Sequence, residues 1–318
     1  MNYFENPAVN CSLLKKLAIH PKMLTIEKEE EEDSEAILIG SLVDAYLTDP
    51  EQVSKYVALE SPKLPSDNIQ QLAKDYIKFN DLDQAIANNP LSEKGKVDTI
   101  KSRFEKEGTQ YYNYLLSLQE YIQAGKKIIT IEQERLAKEV STSLLTHTFT
   151  KHHFTESPEC NIWYQKELYW NMLGVPCKAK FDLIRINHVS KTVYLNDIKV
   201  IGQSSLDFMN SFKRFKYYLQ AAFYLSGFRH TYGNELKDYT ILPFNFIVGS
   251  SKYPNTPLNW SISDSDMNLG QFGGEVNDVK FKGYEQLIAD YLWHTENNLY
   301  DYPREVYQNN GTLVTTLV

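Results

Sequence analysis

The chain has 318 residues, 42% of them hydrophobic, with a formal net charge of −8. That composition buries a large core, as one elaborated domain or two smaller ones, and excludes a disordered chain. The acidic balance excludes indiscriminate coating of nucleic acid while leaving room for a local basic groove.

No charged leader precedes an apolar stretch, and no apolar run approaches the roughly 20 residues that cross a bilayer. The expectation is a soluble, cytoplasmic protein with no membrane partner. Cys11, Cys160 and Cys177 are odd in number and lack CxxC spacing, so neither a disulfide framework nor a zinc knuckle is encoded and reduced thiols are expected.

In chain order, CSLLKKLAI from Cys11 predicts a short helix with Ser12 as N-cap and Pro21 near its end. Residues 27 to 35, EKEEEEDSE, hold much of the negative charge and read as a solvated, mobile loop. A second helix follows, carried by Ile37, Ile39, Leu42, Val43, Tyr46 and Leu47, with Ser34 as its cap and Pro50 beyond its end. Asp44 sits inside this apolar pattern. Residues 51 to 150 are helical and polar, broken near Gly108 and Gly125, and read as a helical insertion or lobe. His147, His152 and His153 are spaced for a loop and not for one helix face, and no acidic or cysteine partner completes a zinc site.

Strand character returns over residues 156 to 250. NIWYQKELYWNM leads through a turn at Gly174 and Pro176 into KAKFDLIRINHVSKTVYLNDIKV. HVSK is the turn of a hairpin, either as a two-residue loop at Val189 and Ser190 or as a four-residue loop from His188 to Lys191. Either loop sets Asp182 opposite Asp197. Asp197 and Lys199 are two apart and leave the same face of their strand. Opposed carboxylates repel, so a buried pair shares a proton or holds a cation, and oxygen ligands suit Mg²⁺ or Mn²⁺. An ordinary hairpin with an exposed polar face gives the same spacing.

SSLDFMNSFKRFKYYLQAAFYLSGF then predicts one long amphipathic helix, capped at Ser204 or Ser205 and ended by Gly227. Its expected buried stripe is Leu206, Met209, Phe212, Phe215, Leu219 and Phe223. Lys213, Tyr217, Gln220 and Tyr224 share the adjoining face. TILPFNFIVGS is a further apolar strand and GYEQLIADYLWHTENNLY a closing helix. Strands and helices in this order predict an α/β fold with a central mixed β-sheet flanked by helices.

The order FD at Phe181 and Asp182, DIK at Asp197 to Lys199 and QAAFY at Gln220 to Tyr224, preceded by IGSLVDAYL and CSLLKKLAIHP, resembles the PD-(D/E)XK nuclease superfamily. Within it, the likeness is to the RecE-like and RecB-like branch of phage recombination exonucleases. The resemblance covers most of the chain, least over 55 to 150, and implies one nuclease domain with a restriction-endonuclease-like core. The implied activity is metal-dependent hydrolysis of DNA at double-stranded ends. Asp182, Asp197, Asp44 and the Ile198 carbonyl would hold one or two Mg²⁺ or Mn²⁺ ions. Lys199 would position the attacking water or balance charge, with Gln220 and Tyr224 orienting the site.

Asp44 departs from the pattern, standing where the family commonly has histidine. The four cysteines of iron–sulfur relatives are absent. Glu167 is a candidate third acid or a residue that supports the ligands from behind. Lys178, Lys180, Lys213, Arg214 and Lys216 are candidate contacts to the DNA backbone. The resemblance also implies a homo-oligomer working with a single-strand annealing protein. Two other functional readings share these residues: a structure-specific or defence endonuclease, and a DNA-binding protein that has lost turnover.

Overall fold

The computed structural model describes residues 2–26, 35–93 and 95–312, so the acidic run up to Ser34, and with it the proposed Ser34 cap, lies outside the described residues. The chain divides into two compact units, Met1–Asp49 with Ala137–Val318, and Pro50–Leu136.

In the first unit, α1 (Cys11–Leu17) begins at Asn10, whose extended backbone and side-chain oxygen, 2.9 Å from the Leu13 amide, make it the N-cap in place of Ser12. Pro21 opens a short 3₁₀ turn, Pro21–Leu24. Helix α2 (Glu35–Thr48) buries Ile39, Leu42, Val43 and Leu47, the expected apolar spacing, while Ile37 is exposed.

The second unit contains α3 (Pro50–Val53), β1 (Tyr56–Leu59), α4 (Asp67–Phe79), α5 (Leu82–Ala87), α6 (Val97–Glu107), α7 (Thr109–Gln123) and β2 (Lys127–Thr130). It is helical apart from the parallel pair β1 and β2, and its own core is built on Ile69, Leu72, Ile86, Ile100 and Phe104. Gly108 joins α6 to α7 where a Cβ would stand 2.5 Å from the Phe104 ring, so glycine is what the junction admits.

The boundary between the units falls within α8 (Ile131–Thr146). The first unit continues with β3 (Cys160–Met172), β4 (Val175–Asn187), β5 (Thr192–Ile201), α9 (Phe208–Arg214), α10 (Tyr217–Tyr232), β6 (Thr240–Ile241), β7 (Asn245–Ser250), β8 (Leu258–Ser261) and α11 (Asp264–Phe272). The hairpin β9 (Gly274–Val276) and β10 (Val279–Phe281), α12 (Tyr284–Asn297) and α13 (Arg304–Gln308) complete it. The sheet runs β3-β4-β5-β7-β8, with β6 also on β5. Strand β4 is antiparallel to both β3 and β5, β5 and β7 are parallel, and β7 and β8 antiparallel, so the sheet is mixed.

Helix α10 packs across β3 and β4, with α1, α11 and α12 beside it. Val193, Leu195, Phe181, Leu219, Phe223 and Phe228 belong to the core between them. Val200 points the other way, toward Gly40 of α2, and Gly249 of β7 lies under Val140 and Leu144 of α8. Helices therefore cover both faces of the sheet.

The single helix expected over residues 204 to 228 is two. Lys216 adopts a left-handed conformation, φ 51°, between α9 and α10. Because the helix axis changes there, the expected stripe fails in its first half: Phe212, Leu219 and Phe223 are buried, whereas Leu206, Met209 and Phe215 are exposed. Gly227 does not end the helix. It lies inside α10 against Trp170, where a Cβ would stand 2.6 Å from the indole, so glycine is what lets α10 approach β3.

Candidate functional site

The β4–β5 hairpin has the four-residue loop, His188 to Lys191, tied by Asn187 Oδ1, which accepts from the Val189 and Ser190 amides at 3.0 and 2.9 Å. The register expected from that loop holds from Asn187↔Thr192 to Leu183↔Asn196 and then stops. On the other side, the β3–β4 ladder omits Asp182, opposite Gln165, whose φ is +48°. The backbone is thus unpaired on both sides of Asp182. Its Oδ2 accepts instead from the Ile198 amide at 2.8 Å. Asp182 and Asp197 are therefore not a ladder pair: the Asp182 side chain replaces a backbone acceptor and holds the opened strands together.

Asp197, on β5, is 2% exposed. Its Oδ1 accepts from Gln220 Nε2 of α10 at 2.6 Å, and its Oδ2 is ion-paired with Lys199. Lys15 of α1 donates to Gln220 Oε1 at 3.2 Å, which fixes the amide with its NH₂ group toward Asp197. The Lys15 and Lys199 ammoniums lie 4.9 and 5.2 Å from the centroid of the Tyr217 ring. Sequence spacing missed Lys15 because its partner is 205 residues away.

On α2, Asp44 accepts from Gln165 Nε2 at 3.1 and 3.0 Å through its two oxygens, and from Thr48 Oγ1 at 2.9 Å. Gln165 also donates to Thr48 Oγ1 at 2.6 Å. Its left-handed backbone is uncommon for a residue with a Cβ and is of the kind that collects at functional sites. Gln165 and Thr48 are the second group that the sequence did not single out.

These groups feel one another. Burial, then the Asp197 and Asp44 charges, push the Asp182 carboxyl well above the usual carboxylate range. Burial also raises Asp44, against the opposing pull of Thr48 and Lys199. For Lys199 burial opposes the ammonium, but Asp197 and Asp182 outweigh it and hold its pKa above the usual lysine value. Burial depresses Lys15. Tyr224, packed 4.9 Å from Phe181, is raised well above an ordinary phenol by burial and then by Asp197.

Among the described residues no three His, Cys, Asp or Glu side chains form a ready-made metal cage. The donor chemistry nevertheless fits a hard cation. Asp44, Asp182 and Asp197 crowd one region, and a divalent ion that keeps its waters needs only one or two carboxylates beside a carbonyl such as that of Ile198.

The remaining candidates separate. Glu167 is exposed, accepts from Tyr169 Oη at 2.9 Å and pairs across the sheet with Lys180. Lys178 is not a groove residue: it is buried, and its ammonium donates to the carbonyls of Tyr3 and Asn6 at 2.6 Å each. Lys213 and Arg214 are exposed on α9, and Lys216 is half-buried at the α9–α10 junction. His147 follows α8, and His152 and His153 lie in a 3₁₀ turn, Lys151–His153.

Asp182 opens onto a cleft of about 480 Å³ whose lining includes Gln165, Tyr224, Lys180, Lys16, Tyr3 and Phe4. It lies wholly in the first unit. No helix among the described residues is long and apolar enough to cross a membrane.

No protein-family model matches the sequence, and no curated protein matches it. Among solved structures the chain is similar to one described as "Putative exonuclease" from Eubacterium rectale, at 14% identity and a TM-score of 0.48, over 98% of this chain and 90% of that one. A likeness at that level carries no argument about function, which rests on the site itself.

Proposed function

We propose that the protein is a Mg²⁺- or Mn²⁺-dependent deoxyribonuclease that hydrolyses phosphodiester bonds at the ends of double-stranded DNA. The observation that carries this reading is the convergence of Asp182, Asp197, Lys199 and Gln220 beside an open cleft. The resemblance to recombination exonucleases supplies the preference for ends, the role in recombination or DNA processing, the annealing-protein partner and the homo-oligomer.

Asp44, Asp182, Asp197 and the Ile198 carbonyl would hold the ion, which supplies a polarised phosphoryl oxygen and a bound water of lowered pKa. The chain's own groups do the rest. Lys199 keeps its proton, held by Asp197 and Asp182, and presents an ammonium to the charge that develops as water adds to phosphorus and the ester P–O bond breaks. Gln220, gripped by Lys15, fixes the rotamer of Asp197. Tyr224 stays protonated and acts as a hydrogen-bond donor, not a base. Gln165 and Thr48 aim the Asp44 carboxylate.

Linear and covalently closed circular forms of one plasmid, incubated with Mg²⁺, test the preference for ends. Degradation of the linear form alone is expected. Nicking or linearisation of the circle would instead make the protein an endonuclease.

A further inference from the structure

Side chains from α1, β5 and α10 form a closed circuit around one ring. Lys15 donates to Gln220 Oε1 at 3.2 Å, Gln220 Nε2 donates to Asp197 Oδ1 at 2.6 Å, and Asp197 Oδ2 is ion-paired with Lys199. The circuit closes on Tyr217, whose ring centroid lies 4.9 Å from the Lys15 ammonium and 5.2 Å from that of Lys199. Tyr217 and Gln220 are three apart on α10 and so share a face of that helix.

Lys15 is the least compensated member. It is half-buried; burial opposes its charge, and so does Lys199, the like charge beside the same ring. The ion pair with Asp197 belongs to Lys199, which leaves Lys15 the Gln220 carbonyl oxygen and the π-face of Tyr217. An aromatic face attracts a partly desolvated ammonium through its quadrupole, which an aliphatic side chain of similar bulk cannot do. The ring itself is clamped. It stacks on Phe208 at 5.7 Å with an interplanar angle of 14° and lies 5.5 Å from Phe246, and both phenylalanines are fully buried. The left-handed Lys216 makes Tyr217 the first residue of α10, just ahead of Gln220.

We infer that Tyr217 is a positioning residue: its ring holds the Lys15 and Lys199 ammoniums in place, and Lys15 in turn locks the Gln220 amide that fixes Asp197. The inference deepens the nuclease reading and rests on it for the effect on turnover, though not for the effect on Gln220. The role resides in the electron density of the ring, not in its hydroxyl or its bulk.

Three replacements separate these contributions. Tyr217→Phe keeps the π-face, Tyr217→pentafluorophenylalanine keeps the shape but withdraws the electron density, and Lys15→Met removes the cation. Each is compared with the wild type by NMR of the Gln220 side-chain amide in the metal-free protein, its signals assigned by their loss in Gln220→Ala, and by steady-state cleavage of linear duplex DNA with Mg²⁺. The two Gln220 NH₂ protons are expected to be well separated in the wild type and in Tyr217→Phe. In the fluorinated variant and in Lys15→Met they should move together toward the positions of free glutamine. In both of these kcat should fall about tenfold or more with KM little changed. The double variant should lose no more than Lys15→Met alone, because both changes act through one circuit. Wild-type Gln220 signals in the fluorinated variant, or a double variant whose loss is the product of the two single losses, overturn the inference. So does a Tyr217→Phe protein as impaired as the fluorinated one, which would assign the role to the hydroxyl. Gln220 signals that collapse as expected in a protein that cuts no DNA sustain the inference and remove the nuclease reading alone.

Discussion

Lys199 is ion-paired with Asp197 and lies over Tyr217, so it is held by electrostatics and not by packing alone. Lys199→Ala is expected to lower kcat by about 10²-fold or more while circular dichroism and melting stay close to wild type. A fall in KM-dependent affinity with kcat unchanged would mean that Lys199 only binds substrate. Asp182 has the opposite balance, since burial and two neighbouring carboxylates oppose its ionisation. Asp182→Asn removes that repulsion and keeps an oxygen to accept from Ile198. In the metal-free protein it should raise the melting temperature by about 2–4 °C for each kcal/mol relieved, while activity is lost. A lower melting temperature would show that the carboxylate stabilises the fold. Asp182, Asp197, Lys199 and Gln220 were legible in the sequence because strand and helix periods fix their directions locally. Lys15, Gln165 and Thr48 were not, because each acts on a residue brought near only by tertiary packing.

At the scale of elements, period-2 alternation and the turn residues were enough to give the β4–β5 register as far as Leu183↔Asn196. The opening at Asp182 was hidden, because a side chain replaces a ladder bond there. The break between α9 and α10 was equally hidden: Lys216 is left-handed without being Gly or Asn, so no local signal marks it.

Gly227 illustrates the competition between local and tertiary terms. Helix propensity favours alanine by about 1 kcal/mol, but a Cβ there would meet the Trp170 ring at 2.6 Å, and overpacking of that kind costs about 1–3 kcal/mol. Denaturant unfolding of Gly227→Ala should therefore show a net loss of stability, whereas a gain would mean that Trp170 yields freely. Lys178 belongs to the same scale, as the anchor of the N-terminal segment on β4. Lys178→Met strands two carbonyls and should cost about 1–3 kcal/mol, leaving the salt slope of DNA binding unchanged. A reduced slope would return Lys178 to the DNA-binding surface.

The whole molecule places β5 near the middle of the sheet, antiparallel to β4 and parallel to β7, with the β5–β7 crossover made through α9 and α10. That crossover brings Gln220 over Asp197, and the chain's α/β order was legible from the alternation of patterns. The division at Pro50–Leu136 was visible only as a change to polar helical sequence, since the parallel β1–β2 pair joins strands separated by the whole lobe.

Global stability should carry the signature of His153, buried beside His152 and depressed to about 3 by burial and then by that neighbour's charge. The unfolded chain takes up a proton below about pH 6.5 and the native histidine does not, so its contribution is lost as pH falls from 6.5 toward 3, at up to about 1.4 kcal/mol per unit. Between pH 7.5 and 5 the wild type should lose about 2 kcal/mol more than His153→Gln. Parallel pH profiles would mean that His153 is protonated in the native state.

We propose that the Asp182–Asp197–Lys199 cluster hydrolyses DNA with a divalent metal. Its most direct test is cleavage of end-labelled linear duplex DNA with Mg²⁺, Mn²⁺ or EDTA, wild type beside Asp197→Ala. Metal-dependent release of label from one end by the wild type and none by the variant is expected. Equal cleavage by both proteins, or no cleavage of linear, circular or single-stranded DNA with either metal, would contradict it.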